Sequence, residues 1–243
     1  MGGGGHRGSV RTQAESAAGD EVKKNGYRAL KVGFLPAKAD GVKQQEFVEQ
    51  KLKPLIKLAK EGIIELFFVD ASHFVIGGFT GRLWSRVRCF VKTVSGRNRY
   101  NVLGAFNFCR KRVRTVTNET YINAEQVMLL MEKLLKTYKN KVLALVLDNA
   151  AYQRCAAVTE YAKEHGIALI FLPPYSPNLN LIERFWKLVK GEVLNAAYHG
   201  TFEEFKSVID SSITETGGKH KKKVSTLISD NFQLFTDVFV PAV

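Results

Sequence analysis

Residues 172 to 193, LPPYSPNLNLIERFWKLVKGEV, decide how this chain is read. A double proline leads through a polar turn into a helix. Phe185 and Trp186 mark the core side of that helix, and Glu183 stands beside them in its first turn. A lone acid at such a place has two ordinary uses. It complements the positive end of the helix dipole, or it pairs with Lys187 one turn on. The segments on either side suggest a third use.

Immediately upstream, IALIFLPP (167–174) is a short apolar run, as expected of a buried strand. Before it, AAYQRCAAVTEYAKEHG (150–166) reads as a helix closed by a glycine. KVLALVLDN (141–149) reads as a strand covered on both faces. NAEQVMLLMEKLLKTY (123–138) is an amphipathic helix with Asn123 as its N-cap. Earlier still, IIELFFVD (63–70) is a buried-strand candidate ending at Asp70. RVRCFVKTV (86–94), RYNVLGAFNFC (99–109) and RKRVRTVTN (110–118) follow as an antiparallel meander. KQQEFVEQKLKPLIKLAK (43–60) has helical spacing, with Pro54 placed to kink or split it and Gly62 to stop it. Downstream, TFEEFKSVIDSSI (201–213) is a helix with Thr201 and Glu204 as a capping box. GGKHKKK (217–223) reads as a basic loop, and the tail is apolar enough to dock. Hairpin strands feeding strand–helix–strand units give an α/β chain. Its sheet mixes antiparallel and parallel strands, with helices on both faces.

The 243 residues suit one sizeable domain, here 43–243, preceded by a linker-like or disordered stretch, 1–42. Hydrophobic content of 45% and charged content of 24% are ordinary for a globular protein. No apolar run is long enough to span a membrane. Three widely spaced cysteines make neither a disulfide framework nor a zinc site, and they read as reduced and mostly buried, in a cytosolic setting. The net charge of +13 favours a polyanionic partner, of which nucleic acid is the commonest.

Two buried strands, then, end in Asp70 and Asp148, and the next strand is followed by the helix carrying Glu183. In open α/β sheets the reactive crevice lies off the carboxyl ends of the strands. Each acid alone is ordinary, since an Asp at a strand end is usually a turn or a cap. As a set they are expensive, because clustered carboxylates repel one another unless a cation intervenes. A hard divalent cation with oxygen ligands, Mg²⁺ or Mn²⁺, is the natural solution. In a basic protein, such a site suggests phosphodiester chemistry.

FFVDASHF, LVLDN and LPPYSPNLNLIERFWK, with 34 residues between Asp148 and Glu183, resemble the catalytic domain of the mariner superfamily of transposases, in particular the bacterial insertion-sequence branch. The likeness covers about residues 30 to 210. It implies a ribonuclease H-like fold, and it makes Asp70, Asp148 and Glu183 the catalytic ligands of Mg²⁺, with Mn²⁺ as a substitute. It implies strand cleavage and strand transfer on double-stranded DNA, at transposon ends and target, by a homodimer in a prokaryotic cytoplasm near the nucleoid. Two positions depart from the family pattern. Leu181 stands where a proline is usual, and Gln153 where many members carry a histidine. Of the paired helix-turn-helix modules that begin such proteins, only EVKKNGYRALK (21–31) remains. Another ribonuclease H-like nuclease and an inactive DNA-binding remnant are the alternatives.

Further candidates are His73, three residues after Asp70, and Lys187 and Lys190, on one helical stripe with Glu183. All three are expected at DNA. RKRVR (110–114) and KHKKK (219–223) are candidate backbone contacts, and Trp84 a candidate stacking platform.

Overall fold

Strand β1 (Ile64–Val75) carries large apolar groups on both of its faces. Leu66, Phe68 and Phe74 point one way, and Phe67 and Val69 the other. Such a strand is stable only with helices on both sides, and it therefore takes the centre of the sheet. A computed structural model describes residues 37–77, 86, 90, 98–194, 198–215 and 221–234. In it β1 lies antiparallel to β2 (Arg99–Asn107), which pairs antiparallel with β3 (Val113–Asn118). On its other side β1 is parallel to β4 (Val142–Leu147), itself parallel to β5 (Ile167–Phe171). The order is β3-β2-β1-β4-β5, the mixed sheet expected. Residues Lys38–Val243 form one compact unit.

Helices cover both faces. The first, α1 (Gly41–Phe47), starts at the N-cap Asp40 and continues into α2 (Lys53–Lys60). Between them Val48–Leu52 is a π-helical stretch, in which the Lys53 N–H bonds the Val48 carbonyl. The expected kink at Pro54 is resolved this way. Proline has no N–H, and its ring crowds the carbonyl four residues back. A widened turn just before it absorbs both defects. Gly62, at φ 76°, closes the helix in the left-handed region.

Helices α3 (Ala124–Thr137) and α4 (Ala156–Glu164) pack on the Phe67 and Val69 face, through Val127, Leu130, Met131, Leu134 and Val158. Asn123 caps α3 in a full capping box with Gln126. On the opposite face lie α2, α5 (Leu181–Val193), α6 (Phe202–Thr214) and α7 (Lys221–Leu227). Ile182, Phe185, Trp186 and Val189 of α5 fill that core, and Ile228, Phe232 and Leu234 of the tail pack against it. A fully buried side chain of this kind contributes about 1.5–3 kcal/mol. Among the described residues no helix is long and apolar enough to cross a membrane.

Five expectations are corrected. β1 does not end at Asp70 but continues to Val75, because β2 goes on pairing with it down to Arg99. The helix expected over 150–166 starts only at Ala156. Asn149 takes φ 75°, and Ala151–Gln153 forms a separate 3-10 turn. Lys221–Lys223 open α7 rather than lying in a loop. The Thr201 hydroxyl caps the Glu204 N–H as expected, but Glu204 returns its carboxylate to Gly200. Cys109 is exposed rather than buried, in the turn after β2. The strand expected at 86–94, apart from Arg86 and Phe90, and Trp84 lie outside the described residues.

Candidate active site

The parallel ladder between β1 and β4 ends at the pair Val69 and Leu147. The next residue on each strand is an aspartate. Asp70 and Asp148 therefore stand side by side, on the α5 face that Phe68 and Val146 share two residues earlier. Beyond them β4 stops, and β1 keeps a partner only on its β2 side. The Asp148 carboxylate accepts from the Ala150 N–H at 3.3 Å, an Asx-type turn that takes the chain off the sheet.

Glu183 arrives by a braced connection. In PPYSPNLN, Tyr175 sits in the left-handed region at φ 57°, and Pro177–Leu179 forms a 3-10 turn. The fully buried Gln44 of α1 accepts from the Asn178 amide at 2.9 Å. Asn178 also donates to the Gln233 carbonyl, at 2.8 Å. Asn180, the N-cap residue of α5, donates its side-chain amide to the Val69 carbonyl at 3.0 Å, a contact buried from solvent. The residue before Asp70 is thus tied to the start of the helix that carries Glu183.

Gly104 sets how close that helix comes. It pairs with Asp70 across β1 and β2. A β-carbon there would lie 2.6 Å from Trp186 Cζ2 and 3.1 Å from Ile182 Cδ1. Only glycine leaves room for the indole to lie on the strand. Phe185 and Trp186 are buried while Glu183 keeps an exposed edge on the same helix.

The electrostatics register the crowding. Burial first, then the charges of Glu183 and Asp148, push the Asp70 carboxyl up to about 7. The Ala71 N–H and Lys190 act against the rise. The Glu183 carboxyl is also raised, mainly by the protein packed around it. Lys190 opposes that shift and Asp148 adds to it. Tyr152, just past Asp148, is pushed up to about 12 by burial and then by Asp148 and Asp70, so it lies within electrostatic reach of both aspartates while its side chain packs against the opposite core. Nothing in the spacing of DNAAYQR marks Tyr152 out. It reaches the acids only because the 3-10 turn holds it there. No three His, Cys, Asp or Glu side chains among the described residues close around one point as a single-ion site. The three acids feel each other's charge without converging on one position. Their donors are all carboxylate oxygens, the chemistry that suits hard divalent cations.

Residues 65–206, more than half of the chain, match the family described as DDE superfamily endonuclease. The chain belongs to the DDE superfamily endonucleases. Among solved structures, the endonuclease domain is similar to the Mos1 strand transfer complex, with TM-score 0.58 and 13% identity over 90% of this chain and 71% of that one. It is also similar to the Mos1 transposase paired-end complex with left transposon end, with TM-score 0.59 and 12% identity over 88% and 70%. A Mos1 mariner paired end complex with Mn gives TM-score 0.56 and 12% identity over 90% and 72%. At these identities the likeness is one of fold, the ribonuclease H-like one. No curated protein matches the chain.

The other candidates of this endonuclease domain are dispersed. Lys190, two turns from Glu183, lies within electrostatic reach of both Asp70 and Glu183, and its ammonium stands 5.7 Å from the centroid of the Phe74 ring. Lys187 is exposed on α5. His73 is on the opposite face of β1 from Asp70, three residues along an alternating strand. The buried Asn101 fixes its ring. The Asn101 amide donates to Asn118 and Thr120, so its oxygen accepts from His73 Nδ1, at 2.6 Å. RKRVR lies at the other end of the sheet, and of KHKKK the described part is the first turn of α7.

Proposed function

We propose that this domain is the catalytic domain of a transposase, acting as a homodimer on double-stranded DNA. Its reaction is hydrolysis of a strand at the transposon ends, then attack of the freed 3′ hydroxyl on target DNA. Asp70, Asp148 and Glu183 are the residues that would hold Mg²⁺, or Mn²⁺ in its place. When bound, the metal supplies positive charge at the attacking and leaving oxygens of the displacement.

The observation that supports this reading best is the state of Asp70. Three acids from three separate segments load one buried position with negative charge, and Lys190 is the cation that opposes it. The chain's own part is to hold that arrangement against its repulsion. β1 and β4 fix the two aspartates in register, and Asn180 fixes the helix of Glu183 to β1. Lys190 offers a cation beside the acids where a scissile phosphate would approach. The buried Phe74 ring beside Lys190 keeps water from the inner side.

The test is cleavage of transposon-end DNA by the purified chain in Mn²⁺. Asp148→Asn and Glu183→Gln should each abolish it. Cleavage that survives either change would overturn the proposal.

A further inference from the structure

The RKRVR run takes no part in the acid site, yet the fold gives it company. Arg110 is occupied. Its guanidinium donates to Glu65 through Nη2 at 2.6 Å and through Nε at 3.1 Å, and Asn107 adds a bond to the same carboxylate at 2.7 Å. That carboxylate is then fully used. Around the same cavity, of about 610 Å³, stand Arg112, Arg114, Lys139 and Lys141; Lys141 feels the Glu65 charge, but none of the four makes a direct ion pair with a carboxylate among the described residues. Arg112 comes from the turn between β2 and β3, Arg114 from the start of β3, and Lys139 and Lys141 from the turn between α3 and β4.

Tyr138 is the point on which the arginines converge. Arg110 lies over its ring, 5.5 Å from the centroid. Burial raises the Tyr138 hydroxyl, while Arg114, Arg110 and Arg112 all act to lower it. Exposed cations held this close repel one another, and a polyanion relieves the repulsion. The cationic tips are exposed rather than enclosed, which suits an extended row of phosphates better than a single captured one.

The position adds a second point. The cavity lies at the amino ends of β1 and β4, and the acids lie at the carboxyl end of β4, with Asp70 in the middle of β1 beside it. β4 has 6 residues, so the two sites are about 20 Å apart at roughly 3.3 Å per residue. They address separate stretches of backbone.

We propose that this face binds the phosphodiester backbone of duplex DNA, on a segment other than the one presented to the acids. The choice of DNA among polyanions rests on the transposase reading above. The test is binding of a random-sequence duplex in EDTA between 50 and 200 mM salt, a range over which about six to ten phosphate contacts are readily resolved. The variant is Arg112→Gln/Arg114→Gln/Lys141→Gln. Its control, Lys51→Gln/Lys57→Gln/Lys163→Gln, removes the same charge from exposed positions elsewhere. The log–log salt slope should fall by about 2–3 in the first, at roughly 0.9 per lost contact, and hardly move in the control. Equal changes in both, or none in either, would overturn the proposal. If the triple variant does not fold, Arg112→Gln alone should lower the slope by about 0.9. Joining of cleaved ends to a second duplex should weaken in the first variant while end cleavage persists; loss of both together would overturn the assignment to a separate segment. A slope that falls in a chain that never cleaves keeps this face and removes the transposase reading. An unmoved slope with cleavage intact removes the face alone.

Discussion

Where β4 ends beside the middle of β1, three carboxylates face one cation, Lys190. At the amino ends of the same strands, five cations face one carboxylate, Glu65. The two ends differ in how each tolerates its excess. The cations stand in water, which screens them, and the chain needs no special packing to keep them there. Of the acids, Asp70 is drawn inward beside two more exposed partners, and it answers by holding a proton close to neutral pH. An excess that costs folding energy must be enforced by packing. Packing is what surrounds the acids: a glycine under an indole, an amide on a strand carbonyl, a buried Gln44 behind the loop.

The comparison can be broken at four depths. The largest effect is on cleavage. Asp148→Asn or Glu183→Gln should lower the Mn²⁺-dependent rate at least about 10³-fold, measured on end-bearing DNA, because a preorganised charge is lost where charge develops. Next is Gly104→Ala. The new methyl meets Trp186, and overpacking should cost about 3 kcal/mol in urea unfolding. Cleavage should fall with it as α5 is lifted from β1. An unchanged midpoint would mean the indole swings aside freely.

The third concerns Asp70. Its folded value is about 7 against an ordinary value of 3.8. Between those pH values the folded chain keeps a proton that the unfolded chain has lost. Its contribution to stability is therefore fully present below about pH 4 and falls away as pH rises toward 7. Asp70→Asn should make the metal-free protein more stable than wild type by about 2 kcal/mol at pH 8. At pH 4 the two should be alike. Mn²⁺ at about a hundred times its dissociation constant should return roughly 2.7 kcal/mol to wild type and nothing to the variant. A variant less stable at pH 8 would show that the acids are not in conflict. The smallest effect belongs to the other end of the sheet. Arg112→Gln should change stability by less than about 0.5 kcal/mol, since its side chain stands in solvent.

Much of this was legible in the chain itself. The mixed sheet with helices on both faces, the two aspartates after apolar runs, the Asn123 cap and the helix of Glu183 all follow from local pattern and short-range chemistry. What was not legible depends on contacts between distant segments. β1 reads as ending at Asp70 because a charge inside a strand looks like a stop, and only β2, some 30 residues on, keeps it extended. Gly104 is one of 20 glycines until Trp186 is seen against it. Tyr152 and the gathering of Arg112, Arg114, Lys139 and Lys141 likewise exist only in the folded chain. His73 shows the reverse. Three residues after Asp70 looks close on paper, but an odd offset along a strand sends the ring to the other face.

The bond from Asn180 to the Val69 carbonyl joins residues 111 apart in the chain. Contacts of that separation form late, after the nearer hairpins and helices. During synthesis, a chain that has emerged only as far as β5 already carries Asp70 and Asp148 but has no Glu183 to set beside them. The third acid is delivered only by a contact between distant segments. Until α5 has docked on β1, the two aspartates stand without their third carboxylate.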